Sequence, residues 1–124
     1  MPFVDVTHQL RGFEPPRLTR VLLKSQAELE SYFRHESPAT VTRLPHVDWS
    51  QREVIVIAAG PRSSTGYVLR VLGVRETPHT ITVTVHEATP RLGQAVRAGV
   101  TYPYRVITIP RIPKKLFVHW PGRP

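Results

Sequence analysis

The chain has 124 residues, of which 40% are hydrophobic and 21% charged, which indicates one globular domain and not a disordered chain. It contains no cysteine, so disulfide bonds and thiolate metal sites are excluded. Seventeen Lys and Arg residues against nine Asp and Glu residues give a net charge of +8, which attracts nucleic acid, anionic lipid or an acidic protein surface.

The basic residues are spread singly along the chain, and Lys114-Lys115 is the only adjacent pair. Fourteen of the seventeen are arginines, a proportion that is also typical of a GC-rich or thermophilic composition bias. Two interpretations therefore stay open. The favoured one is a generally basic surface, and the other is a dedicated nucleic-acid site.

No targeting or membrane segment is visible in the sequence. The first ten residues lack both the basic region and the apolar region of a secretion signal. No window approaches the ~18 apolar residues of a membrane span. We therefore expect a cytoplasmic protein without a membrane-spanning helix.

The first part of the chain predicts two strands and a helix. Residues 4–10 alternate weakly, as an edge strand does, and residues 18–23 predict a second strand. Ser25 can cap the first turn of a helix, and Glu28 completes a capping box three residues later. The helix is expected to cover about residues 26–36.

The second half predicts one strand after another. Residues 54–59 are apolar on both faces, which is typical of a strand inside a sheet or sandwich. Residues 67–75 and 80–87 flank a turn-forming insert and predict a hairpin. Residues 104–109 alternate again. The last apolar side chains of the core are Leu116, Val118 and Trp120.

These elements indicate a single mainly β domain over residues 1–124. We expect an antiparallel meander closed as a β-sandwich or a partly open barrel, with one short α-helix. If the strands run up and down, the loops 60–67 and 88–102 lie at the same end of the sheet.

That end of the sheet presents hydroxyl groups, arginines and tyrosines, which are frequent at recognition surfaces. Gly66 and Gly93 allow positive φ, so both loops can turn sharply. A tight turn in which Tyr67 fixes the start of a strand is the alternative interpretation for the first loop. The candidate partner-binding residues are Arg62, Ser63, Ser64, Thr65, Tyr67, Arg91, Gln94, Arg97 and Tyr102.

The order of motifs over residues 46–110 resembles that of a known family. The motifs are Asp48-Trp49-Ser50, an apolar strand ending at Gly60, the Gly66-Tyr67 turn, Glu87-Ala88-Thr89-Pro90 and Thr101-Tyr102-Pro103-Tyr104. This order resembles the PrcB-type protease-complex subunit domain, whose turn usually reads Pro-Thr-Gly-Gly-Tyr. The resemblance implies a non-enzymatic domain that associates with proteases or other cell-surface machinery, usually in exported proteins.

The same turn is also similar to the Asn-Pro-Thr-Thr-Gly-Tyr loop of chagasin-type cysteine-protease inhibitors, which use an immunoglobulin-like sandwich. The chain matches that loop at Thr65-Gly66-Tyr67, whereas its proline, Pro61, is displaced and the asparagine is absent. The similarity implies an inhibitor-like use of the loop 60–67.

Catalytic and metal-binding patterns are weak. A cysteine nucleophile is excluded, and Ser63 lacks the strand-to-helix elbow of a nucleophilic serine. His79, His86 and His119 do not form a His-x-His or His-x-x-x-His pair, so we expect no metal, cofactor or catalytic residue.

Three function classes remain. The leading hypothesis is a non-enzymatic protein-binding module, protease-associated or inhibitor-like, that uses the loops 60–67 and 88–102. The alternative is a nucleic-acid-binding β domain that uses the basic surface, and an enzyme is the third.

Overall fold

The computed structural model describes residues 1–10, 12–36 and 44–122, and these form nine strands, one α-helix and one short 3-10 helix. In chain order they are β1 (Val4–Asp5), the 3-10 helix (Thr7–Gln9), β2 (Leu18–Leu23), α1 (Gln26–Glu36), β3 (Arg52–Ala59), β4 (Arg62–Ser64), β5 (Val68–Glu76), β6 (Thr80–Ala88), β7 (Ala98–Thr101), β8 (Tyr104–Pro110) and β9 (Lys115–His119).

The strands form a sandwich-like arrangement of sheets. One sheet has the order β1-β8-β3-β2, another has the order β5-β6-β9, and β4 pairs with β7 alone. The mainly β, antiparallel-rich prediction with one helix is confirmed, and the described strands form a sandwich-like arrangement and no closed barrel. The strand order is not that of a simple meander, because β8 lies between β1 and β3, and β9 returns to pair with β6 in parallel.

Strand β3 is apolar on both faces because each face belongs to a different core. Ile55 and Ile57 belong to a core cluster formed with the side chains of β6, β8 and the C-terminal residues. Val54 and Val56 belong to a second cluster, formed with the helix. All four side chains are fully buried, as the two-sided apolar pattern predicts.

Helix α1 begins with the predicted cap and covers the outer face of the four-stranded sheet. The backbone N–H of Glu28 donates to Ser25 Oγ at 3.1 Å, and Glu28 Oε1 accepts a hydrogen bond from the backbone of Lys24 at 3.1 Å. Leu29 and Phe33, one turn apart, are fully buried in the second cluster. The predicted helix of about 26–36 is confirmed.

The predicted edge strand 4–10 is wrong beyond its first two residues. The segment pairs with β8 as a strand at Val4 and Asp5, the Val6 N–H donates to the Val106 carbonyl at 2.8 Å, and the segment then turns into the 3-10 helix. The Thr7 backbone N–H donates to Asp5 Oδ1 at 2.9 Å, and Thr7 Oγ1 accepts the Val106 N–H at 2.9 Å. The Thr7 hydroxyl thus accepts a backbone hydrogen bond from β8 in place of a strand carbonyl, and the hydrogen bond to the Asp5 side chain favours a turn.

Candidate functional site

The two segments in which the sequence predicted loops form a two-stranded ribbon. β4 pairs with β7 in an antiparallel register that joins Arg62 to Thr101 and Ser64 to Ala98. We use "ribbon" for β4, β7 and the segment 89–97, which joins β6 to β7. Both strands were missed because they are only three and four residues long, and β7 contains a glycine with φ of 138°.

Side-chain hydroxyls of the predicted site hold the ribbon together. The Thr65 N–H donates to the Arg97 carbonyl at 3.1 Å, and the Arg97 N–H donates to Thr65 Oγ1 at 2.9 Å. The Ser64 carbonyl accepts a hydrogen bond from Thr101 Oγ1 at 2.9 Å, and Ser64 Oγ accepts the Gly66 N–H at 3.1 Å. Ser64 is buried, so its hydroxyl acts within the fold.

Arg62 connects the ribbon to β6. Its Nε and Nη2 donate to the two carboxylate oxygens of Glu87 at 2.6 and 3.0 Å, and Nη1 donates to the Pro61 carbonyl at 2.9 Å. The two side chains are only 14% and 9% exposed. The hydrogen bonds that Arg62 donates to the Glu87 carboxylate raise the pKa of Arg62 above its ordinary value. The guanidinium also lies 6.0 Å from the centre of the half-buried Tyr67 ring, so this arginine is engaged inside the protein.

Gly66 is required by close packing. The sequence suggested that Gly66 could adopt a positive φ, but its φ is not positive. A Cβ atom at this position would lie 2.6 Å from Pro90 Cγ and 2.7 Å from Val96 Cγ1, which is well inside van der Waals contact. The ribbon can therefore pack against the Gly66 turn only because this residue has no side chain.

The tip of the ribbon is a turn that closes on itself. The Gln94 N–H donates to the Arg91 carbonyl at 2.9 Å, and the Arg91 N–H donates to Gln94 Oε1 at 2.9 Å. Gly93 has a φ of 83°, a conformation that favours glycine. These two hydrogen bonds order the tip locally.

The predicted site residues fall into two groups. Arg62 and Ser64 are taken up by internal contacts, and Tyr67 and Tyr102 are half-buried. The remaining members are exposed, and they are Ser63, Thr65, Arg91, Gln94 and Arg97. Their role in partner binding stays a prediction.

The ribbon also exposes apolar side chains that the sequence reasoning did not single out. Every residue from 91 to 100 is exposed. Leu92 is fully exposed, Val100 is 65% exposed and Val96 is 39% exposed. The sequence does contain a signal for this exposure. The apolar residues stand in a segment without strand or helix periodicity, so no pattern assigns them to the core.

A buried carboxylate lies at the other end of β3. Glu53 is fully shielded from solvent, and its Oε1 has no hydrogen-bond partner among the described residues. The Lys24 ammonium lies 3.9 Å away, and the Ile112 N–H donates to Oε2 at 3.4 Å. Burial raises the pKa of Glu53 above its ordinary value, against the opposing effects of the Ile112 hydrogen bond and the positive charges of Lys24 and Arg111.

We expect Glu53→Gln to stabilise the protein by about 1 kcal/mol at pH 7, because the amide avoids burying a charge with an unpaired oxygen. A carboxyl group whose folded-state pKa is raised costs stability as the pH rises above its ordinary range of about 4.3. The gain should therefore disappear at pH 4. Urea unfolding at both pH values measures it, with the exposed Glu14→Gln as control. A loss of stability at pH 7 would show that attraction to Lys24 outweighs burial.

Beside Glu53 the surface has a shallow pocket of about 310 Å³, lined by Lys24, Ser50, Arg111, Ile112 and Pro113. The Arg111 Nη1 donates to the carbonyls of Lys24 and Trp49 at 2.8 and 3.2 Å, so its guanidinium joins two loops.

The described residues contain no group of three or more His, Asp or Glu side chains placed to hold a metal ion. None of the helices in the described ranges is long and apolar enough to cross a membrane.

Comparison with known proteins shows a similarity over part of the chain. Residues 54–110 match the model of the family described as PrcB C-terminal. The matched segment runs from β3 to β8 and includes the hairpin β5–β6 and the whole ribbon, whereas the helix and β9 lie outside it. The resemblance to a PrcB-type domain is confirmed over residues 54–110. No curated protein and no solved structure shows a significant match to the chain.

Proposed function

We propose that this chain, with its PrcB C-terminal segment over residues 54–110, is a non-enzymatic protein-binding module that associates with a protease or a protease complex. The observation that carries the proposal is the ribbon, a hydrogen-bonded arm whose residues 91–100 are all exposed. The family match supports protease association, because the PrcB type is associated with a protease complex. It also supports a non-enzymatic role, because the PrcB type is a subunit-like family without catalysis of its own.

The exposed apolar side chains provide the binding energy in this proposal. Leu92, Val96 and Val100 lie within nine residues of one another, and Leu92 and Val100 are more than half exposed. Burying an aliphatic side chain of this size contributes about 1.5–3 kcal/mol. Exposed apolar groups on an ordered projection are typical of interaction sites.

The charges on the ribbon indicate the chemistry of the partner. Residues 88–102 contain two arginines and no Asp or Glu. Arg91 and Arg97 are exposed, and neither has an ion pair within the described part of the chain. We therefore expect a partner surface that combines an apolar patch with carboxylates.

One edge of β7 is available for a partner strand. β7 pairs with β4 on one side, and no described strand covers its other side. An unpaired edge can take up an extended segment by adding a strand, and the main-chain hydrogen bonds then contribute affinity. This mode of binding fits an inhibitor-like or protease-associated module, since each requires recognition of another protein chain.

The proposal is tested by affinity capture from a lysate of the source organism after nuclease treatment. The immobilised protein should retain a protease or a protease-complex subunit, identified by mass spectrometry. The double variant Leu92→Asp/Val100→Asp should reduce the affinity of the purified partner at least tenfold, because it places two charges in the apolar patch. A protease assay with the purified partner then separates inhibition from simple association.

Leu72→Asp is the matched control, because Leu72 is 62% exposed on β5, away from the ribbon. It should leave capture of the partner unchanged. Equal retention by the wild type and the ribbon variant would contradict the site. Retention that disappears with nuclease would contradict the protein-binding function itself.

A further inference from the structure

The outer face of the sheet β5-β6-β9 carries a set of basic and aromatic side chains. The inner face packs into the core through residues such as Leu69, Val83 and Val118. Side chains alternate along a strand, and a register shift between Val71 and Gly73 resets this alternation in β5, so that Arg70 and Arg75 both lie on the outer face with the intervening residues of β6 and β9. We call this surface the basic face, and its members are Arg70, Arg75, His86, Lys115, Phe117 and His119, all exposed.

The charge of the protein is concentrated in the half of the chain that builds this face. Residues 1–53 contain seven basic and seven acidic residues, whereas residues 54–124 contain ten basic and two acidic residues. Both acidic residues of the second half are ion-paired, Glu76 with Lys114 and Glu87 with Arg62. The net charge of +8 therefore arises entirely from the second half.

The cations of the basic face are not neutralised. Within the described residues, none of Arg70, Arg75 and Lys115 makes an ion pair. The carboxylates of Glu76 and Glu87 stand at strand positions that alternate with the outward-facing ones. No carboxylate of the three strands therefore interrupts this surface, which makes it complementary to a polyanion.

An exposed ring lies among these cations. In the register of the sheet, Phe117 stands opposite Thr82, and Thr82 stands opposite Arg75. Phe117 is 54% exposed, and His119 follows two residues later on the same strand, which spaces their Cα atoms by about 6.6 Å. Gly73 leaves the middle of the face open, since a Cβ there would meet nothing within 4 Å.

We propose that the basic face binds single-stranded nucleic acid, with phosphates on Arg70, Arg75 and Lys115 and a base stacked on Phe117. A sheet face that combines cations with exposed rings is suited to single strands, because unpaired bases stack on aromatic side chains and the cations follow the backbone. An acidic peptide or a lipid headgroup would use the charges but would gain little from the flat ring. The site is separate from the ribbon and goes beyond the protein-binding function.

The test uses fluorescence anisotropy with a labelled single-stranded oligonucleotide of mixed sequence, about 12 nucleotides long. Phe117→Ala should weaken binding about tenfold, as expected for the loss of one stacked base. Phe117→Trp should retain the affinity, because it keeps an aromatic surface, whereas Phe117→Leu should bind as weakly as the alanine variant. The thermal midpoint of each variant controls for folding.

The salt dependence tests the charges. For single strands, the slope of log affinity against log salt falls by about 0.7 for each phosphate contact that is lost. Arg75→Ala/Lys115→Ala should therefore reduce the slope by about 1.4. Arg91→Ala/Arg97→Ala removes the same charge from the ribbon and should leave the slope nearly unchanged.

Three results would each overturn the proposal. The first is that the oligonucleotide fails to bind at low salt. The second is that Phe117→Ala binds as well as the wild type. The third is that the ribbon variant changes the salt slope as much as the basic-face variant does. Vesicles that contain phosphatidylserine serve as a competing probe. If they bind through the same residues and the oligonucleotide does not, the surface is a lipid site and the proposal is wrong.

Discussion

Replacing Arg62 by alanine is expected to lower the free energy of unfolding by about 3 kcal/mol, because it leaves the Glu87 carboxylate largely buried without its partner. The wild-type pair makes two hydrogen bonds, at 2.6 and 3.0 Å, and both side chains are mostly shielded from solvent. Equilibrium unfolding in urea at neutral pH measures the loss.

Two further variants show what the ion pair does. Arg75→Ala removes the same charge from an exposed position and should change stability by less than about 0.5 kcal/mol. Arg62→Met/Glu87→Leu removes both charges and should recover most of the stability, because neither group is then buried unpaired. A stability of Arg62→Ala equal to that of Arg75→Ala would show that Glu87 is already well solvated in the folded protein.

Replacing Gly66 by alanine is expected to cost about 1–3 kcal/mol, the usual effect of forcing an extra methyl group into a packed site. The added Cβ would contact the Pro90 ring and Val96 at distances that require the ribbon to move. Arg91 and Arg97 are exposed sites for trypsin, so faster cleavage there reports loosening of the ribbon. Urea unfolding measures the accompanying loss of stability.

Gly73→Ala is the matched control. This glycine has no positive φ, and an added Cβ meets nothing within 4 Å. The change should be neutral or stabilising by about 0.4–1 kcal/mol, because alanine restricts the unfolded chain. If the two glycine variants have the same stability and the same rate of cleavage, close packing at Gly66 does not hold the ribbon.

Elements with a strong local pattern were predicted from the sequence. The helix follows from its cap and from Leu29 and Phe33, and β3 follows from its unbroken apolar run. The hairpin β5–β6 follows from alternation around a turn. The parallel pairing of β6 with β9 was not predicted, because nothing within either strand specifies a partner whose paired residues lie 35 positions away along the chain.

The site was predicted less completely, for a related reason. Hydroxyls and arginines near a turn have the same local pattern whether they face a partner or hold the fold. Ser64 accepts a hydrogen bond within its own turn, and Arg62 donates to Glu87 on another strand, 25 residues away. Leu92 was overlooked because an apolar residue is usually assigned to the core, and its full exposure is a property of the folded chain.

The position of β3 between two cores provides an internal reference rate for amide hydrogen exchange. Its central residues, such as Val56, are paired on both sides and buried on both faces, so their amides exchange only when the whole domain unfolds. The ribbon amides, such as that of Arg97, are exposed and depend on few hydrogen bonds, so they exchange through local opening. A partner that covers the ribbon therefore slows the Arg97 amide far more than the Val56 amide, and the ratio of the two rates separates contact at the ribbon from general stabilisation.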